Sequence, residues 1–138
     1  MAKIRVIALE LTSQDVIDIM TTAAEGGIGY WSQIDVYKWS AWYEDGWKVK
    51  GSNLMPVMPK DLEPDYELLQ LRLDPGMMEK GEANPWIKVT PRMLTHAAEK
   101  ALIEYPHMVR LENDTLDYDA SGADVIVQIA TLGEVVYG

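Results

Sequence analysis

Few residues in this chain have types and spacings that could perform chemistry, and each admits a structural explanation as well. Two histidines, His96 and His107, lie eleven residues apart. A metal site or a base–nucleophile pair would need them to converge with carboxylates, and nothing in the spacing requires that. Asp117-x-Asp119-x-Ser121-Gly122 begins like a calcium loop. The eighth position is then Asp124 where an apolar residue belongs, and the twelfth is Gln128 instead of a bidentate glutamate, so capping of a helix by Asp119 or Ser121 is the better account. Asp15, Asp18 and Asp124 could surround a divalent ion in a hydrolase or transferase, yet their spacing selects no site. No Walker loop, HExxH, GxSxG or paired-cysteine pattern occurs.

Asp124 and Gln128 are four residues apart and share one face of a predicted helix. If that face turns toward Tyr30 and Trp31, a carboxylate and an amide come to rest against aromatic rings, as in many small-ligand pockets. The alternative is a polar stripe facing solvent. Tyr30 and Trp31 close the segment EGGIGYW, Glu25 to Trp31. A phosphate cradle needs its glycines after a strand and before a helix, and here a helix comes first. Gly26 is therefore expected as a left-handed C-cap, with Gly27 letting the chain turn away.

The elements that must position these residues follow from periodicity. Lys3 to Leu11 reads as a strand, rich in β-branched residues. Thr12 or Ser13 then caps a helix in which Val16, Ile17, Met20, Ala23 and Ala24 recur at helical spacing. Ile34 to Tyr43 is a predicted strand joined through Asp45-Gly46 to Trp47–Lys50 as a hairpin. Tyr66 to Leu73 and Trp86 to Val89 are further strands, separated by an irregular loop from Asp74 to Pro85. Thr90-Pro91 starts a second helix carrying Leu94, Ala97, Ala98, Ala101, Leu102 and Tyr105, which Pro106 stops. Met108 to Leu111 is a candidate strand. Asp119 to Gly122 introduces a third helix with Val125, Ile126, Ile129 and Ala130 apolar, Gly133 as its C-cap, and Val135 to Tyr137 as a terminal strand. The expectation is a single α+β domain over residues 1–138, about three helices packed on a mainly antiparallel sheet of five to seven strands.

Trp31, Trp39, Trp42 and Trp47 fall within 17 residues, in a chain without phenylalanine. Tryptophan and tyrosine must then fill every aromatic core position, which accounts for most of the clustering. The other reading is a recognition surface, because tryptophan is enriched at interface hot spots. Tyr30, Trp31, Trp39, Trp42, Trp47, Asp124 and Gln128 are accordingly the candidate ligand- or partner-binding residues. Met55, Met58, Met77 and Met78 on the two long loops are adaptable contacts that more often tuck over a core edge.

The 138 residues include no cysteine, so disulfides, zinc–thiolate sites and thiol catalysis are excluded. No segment resembles a secretion signal or a membrane span, and a non-secreted protein is expected. The net charge of −10 is uneven: from Glu112 to Glu134 there are six acids and no base. Direct binding to nucleic acid is disfavoured, because lysine and arginine supply that affinity. A protein with a basic surface is the expected partner; no cofactor, metal or membrane is implied, and homo-oligomerisation is left open.

Two stretches carry a resemblance. Glu25, Gly26, Gly27, Ile28, Tyr30 and Trp31, followed at the other end by Ala123, Asp124, Ile126, Val127, Gln128, Gly133, Glu134 and Gly138, resemble a family of small proteins from tailed bacteriophages and prophages. In that family a helix ending Glu-Gly-Gly-Ile leads to Tyr-Trp, and the C-terminal part reads Ala-Asp-x-Ile-Val-Gln, then Gly-Glu-x-x-x-Gly. The resemblance spares the middle of the chain, and Ser32 stands where the family has a cysteine. It transfers no catalytic residue. It implies an accessory product acting in the host cytoplasm, for instance one that inhibits a host defence component without catalysis. The alternatives are a small-ligand or nucleotide-sequestering protein, a carboxylate- or metal-dependent enzyme, and a virion assembly component.

Overall fold

The computed structural model describes residues 9–35 and 62–138. The expected strand from Lys3 falls outside them as far as Ala8, and Leu9–Leu11 form no strand. The hairpin through Asp45-Gly46, with Trp39, Trp42 and Trp47, also lies outside the described residues.

Helix α1 spans Ser13–Gly26. Thr12 caps it: its hydroxyl accepts from the Asp15 amide at 3.1 Å, and the Asp15 carboxylate accepts from the Thr12 amide at 2.9 Å. This reciprocal pair satisfies two otherwise orphaned donors. Val16, Ile17, Ile19, Met20 and Ala23 make its buried face.

The C-terminal end of α1 differs from expectation. Gly26 is the last helical residue, and the cap is Gly27, at a right-handed φ of −118°. A left-handed turn is not what the glycine provides. A Cβ on Gly27 would stand 2.8 Å from the Ala120 carbonyl oxygen, so glycine is needed because another helix passes so close.

Strands β1 (Ser32–Ile34), β2 (Leu69–Leu73) and β3 (Ile87–Val89) form one antiparallel sheet in the order β1-β2-β3. Ser32 pairs with Leu73, and Leu69 pairs with Val89. Leu69, Leu71 and Val89 enter the core, while Gln70 and Arg72 alternate to the other face. Between β2 and β3, Pro75–Met77 form one 3-10 turn capped by Asp74, and Met77 is exposed and not tucked over the core.

Helix α2 (Pro91–Glu104) begins as expected, with Thr90 as cap and Pro91 in the first turn. Its small-residue face of Ala97, Ala98 and Ala101 permits close packing against helix α3, Ala120–Leu132. The central helix is α3, packed against both α1 and α2 with Ala123, Val125, Ile126, Val127 and Ile129 buried. Gly133 ends it at φ +85°, the left-handed cap that glycine adopts without strain.

The sheet count is corrected. Five short strands occur among the described residues, divided between that three-stranded sheet and a separate hairpin of β4 (Val109–Glu112) and β5 (Thr115–Tyr118). Strand β5 was not foreseen. Its turn is Asn113-Asp114, both at positive φ (52° and 62°), as a tight two-residue hairpin turn demands. Asp117 belongs to β5 and meets Arg110 of β4 at 3.0 Å, and Asp119 caps α3 through the Gly122 amide, so neither joins a calcium loop. Val135–Tyr137 do not form a strand.

Candidate functional site

The corner after α1 places its aromatic pair by burying what flanks it. Ile28 and Trp31 are fully buried, and the amides of Trp31 and Ser32 both bond back to the Ile28 carbonyl, a tight turn that throws Tyr30 outward to 52% exposure. On α3, Asp124 and Gln128 share a face as their spacing predicts, and that face does turn toward Tyr30 and Trp31. They are not a solvent-facing stripe: Gln128 is fully buried and Asp124 half-buried.

Three donors converge on the Asp124 carboxylate. The Trp31 indole N–H donates to Oδ1 at 2.8 Å, the Gln128 amide Nε2 donates to the same oxygen at 2.8 Å, and the Tyr30 hydroxyl donates to Oδ2 at 2.6 Å. All three donors are neutral. Burial first, and then the Asp124 hydrogen bond and charge, push the Tyr30 hydroxyl up to about 12, with a weak Gln128 contact at 3.4 Å opposing.

Gln128 does a second job. Its Oε1 accepts from the amides of Val136 (2.8 Å) and Tyr137 (2.9 Å), while Nε2 also donates to the Tyr137 carbonyl at 3.0 Å. Every donor and acceptor of the amide is thereby used. One side chain thus holds the segment after α3 as a neighbouring strand would. The Tyr137 ring stacks on Trp31, with centroids 5.9 Å apart and planes inclined by 15°.

Beside this network lies a cavity of about 530 Å³, walled by Gly26, Gly27, Tyr30, Tyr105, His107, Met108, Ala120, Ser121, Asp124, Val125, Gln128, Val135, Tyr137 and Gly138. Its size is that of a small-ligand site. His107 stands on its wall. His96 lines a different cavity of about 570 Å³ with Leu9, Arg92 and Glu99, so the two histidines do not share a site.

The third candidate grouping also separates. Asp15 is engaged in the Thr12 cap, Asp18 accepts from Gln14 at 2.7 Å, and both lie in the first half of α1, whereas Asp124 meets the chain just past its end, roughly 14–18 Å farther along the helix. Asp18 and Asp15 instead help raise the Tyr118 hydroxyl to about 12, after burial, which is the larger cause. Among the described residues no group of three or more histidines, aspartates or glutamates is placed to hold a metal ion, and no helix is long and apolar enough to cross a membrane.

Of the seven candidate binding residues, then, Tyr30, Trp31, Asp124 and Gln128 come together, and Trp39, Trp42 and Trp47 are outside the described residues. His107 and Ser121 were weighed from the sequence for other roles, and Tyr105 and Tyr137 were read only as helix and strand residues; none of the four was placed at this site. For Gln128 a sequence signal existed: it interrupts the apolar run Val125-Ile126-Val127-Gln128-Ile129, where a polar side chain must be buried with partners. A second tryptophan site also went unforeseen: Trp86 is 40% exposed, with the Arg72 guanidinium 4.4 Å above its ring. Comparison with protein-family models, curated proteins and solved structures gives no match.

Proposed function

We propose that this chain is an acidic accessory protein of a tailed bacteriophage or prophage that binds a host protein with a basic surface, in the host cytoplasm and without catalysis. The observation that carries this reading is the use made of Asp124 and Gln128, the polar pair best placed for chemistry. Their acceptors and donors are committed to Tyr30, Trp31 and residues 136–137, so they hold the fold instead of offering a base or a nucleophile. What remains for presentation is charge. The six acids from Glu112 to Glu134 follow one another without a lysine or arginine, and a net charge of −10 steers basic surfaces toward the molecule. The resemblance at Glu25–Trp31 and Ala123–Gly138 supports the phage origin, and inhibition of a host defence component fits an acidic binder.

Capture from host lysate tests this. A tagged protein is expected to retain one basic protein at low salt and release it above about 0.5 M salt, where screening is complete within a few ångströms. Recovery of no protein at low salt would overturn the reading. A second reading, a small-ligand binder, is favoured by the 530 Å³ cavity. A nucleotide is a poor occupant, because the described lining offers its phosphates no lysine or arginine.

A further inference from the structure

The cavity beside Asp124 has an electrostatic character that its hydrogen bonds leave unbalanced. The carboxylate is held by a phenol, an indole and an amide, which position the negative charge but do not neutralise it. The described lining contains no lysine or arginine, and its one basic side chain, His107, is exposed at the wall. Glu25, Glu104 and Glu134, all exposed, immediately precede the lining residues Gly26, Tyr105 and Val135 in the chain, and Lys100 donates to the Gly133 carbonyl at 3.0 Å.

Among small and aliphatic wall residues stand three tyrosines. Tyr30 arrives from the corner after α1, Tyr105 from the end of α2 and Tyr137 from the segment after α3. Three phenol rings from three separate elements around one cavity, Tyr137 with one face already taken by Trp31, are a favourable surface for a cation, since the ring quadrupole attracts positive charge and is strongest where water is partly excluded. Asp124 supplies the net charge that three tyrosines lack. An anion would meet uncompensated negative charge, and a neutral apolar ligand would leave the carboxylate side of the cavity unmatched.

We propose that this cavity is a receptor for an organic cation, the guanidinium or ammonium group of an arginine or lysine side chain on a basic protein. The inference rests on the partner-binding reading above and names the place where that partner inserts. The long stretch from Glu112 to Glu134, which has acids and no lysine or arginine, also contains Ser121 and Asp124 of the cavity wall.

Titration of the full chain, followed by NMR, with N-acetyl-arginine amide, N-acetyl-lysine amide and the neutral N-acetyl-glutamine amide tests the proposal without the partner. The cationic probes are expected to shift the ring signals of Tyr30 and Tyr105, and the glutamine probe to leave them in place. Ser121 is exposed on the wall, so Ser121→Lys should fold and weaken arginine binding about tenfold, the effect of one like charge nearby in a half-solvated site, while Ser121→Glu should tighten it. His107→Lys on another part of the wall is expected to act as Ser121→Lys does.

An equal response to the glutamine probe would overturn the proposal, as would arginine binding that both lysine variants leave unchanged. Tighter binding of a free polyamine such as spermidine, by tenfold or more over the arginine probe, would assign the cavity to a small amine and overturn the protein source. The two readings fail separately. Loss of probe binding with partner capture intact removes only the cavity assignment; probe binding without any captured partner removes the proposed function.

Discussion

Trp31 and Trp86 are the same residue placed under opposite terms. Trp31 is fully buried, gives its N–H to a carboxylate 2.8 Å away and carries Tyr137 stacked on its face. Trp86 lies at the edge of β3 with 40% of its surface in water and is covered on one side by Arg72, which also donates to Gln33 at 2.8 Å. An indole can be sealed only where something accepts its N–H, and Asp124 is that acceptor. Where a cationic side chain is the neighbour, the ring stays at the surface. The comparison separates a tryptophan that holds the molecule together from one that is available to its surroundings.

The largest effect expected from breaking this contrast is at Trp31. Trp31→Ala should destabilise the fold by about 3–5 kcal/mol, because a large buried ring is lost and a carboxylate loses a donor. Urea denaturation measures it, and a change below about 1 kcal/mol would mean that the corner is not part of the core. Next comes Gln128→Leu, which keeps the volume but removes the partners of residues 136 and 137. A loss of about 2–3 kcal/mol is expected, together with faster hydrogen exchange at the Val136 and Tyr137 amides.

A smaller effect comes from alkali. The Tyr30 and Tyr118 hydroxyls stand at about 12 in the folded chain against an ordinary value of 10.0. The unfolded chain therefore gives up these protons first, and the stability they contribute is complete below pH 10 and lost as pH rises from 10 toward 12. The urea midpoint should fall across that window, and the double variant Tyr30→Phe with Tyr118→Phe should flatten the fall. Last is Trp86→Ala, for which a cost below about 1 kcal/mol is expected, the value of an exposed cation–π contact. A cost equal to that of Trp31→Ala would erase the distinction between the two indoles.

What could be read from the sequence was local. Thr12 with Asp15, Thr90 with Pro91, Asp119, and Gly133 fix helix ends through bonds that span three or four residues, so their types alone reveal them. The meeting of Asp124 and Gln128 with Tyr30 and Trp31 was legible as one of two orientations of a helix face. Strand β5 was hidden because its turn uses Asn113-Asp114 without glycine, and because Asp117 and Asp119 suggest a different loop. Val135–Tyr137 have strand-forming side chains, yet among the described residues no strand pairs with them; Gln128 supplies the bonds instead, and only tertiary structure can tell those cases apart. Gly27 was read for its freedom to turn, when the requirement comes from Ala120, more than ninety residues away.

The three donors aimed at Asp124 restrict the usual mild replacement of that residue to one orientation. Asparagine has nearly the same outline, but one of its two terminal atoms carries hydrogens: turned toward Trp31 and Gln128 they meet two donors, whereas turned toward Tyr30 they meet a hydroxyl that can accept. Shape alone cannot satisfy this position; it demands lone pairs on the side of the indole and the amide, and leaves the phenol side open to either role.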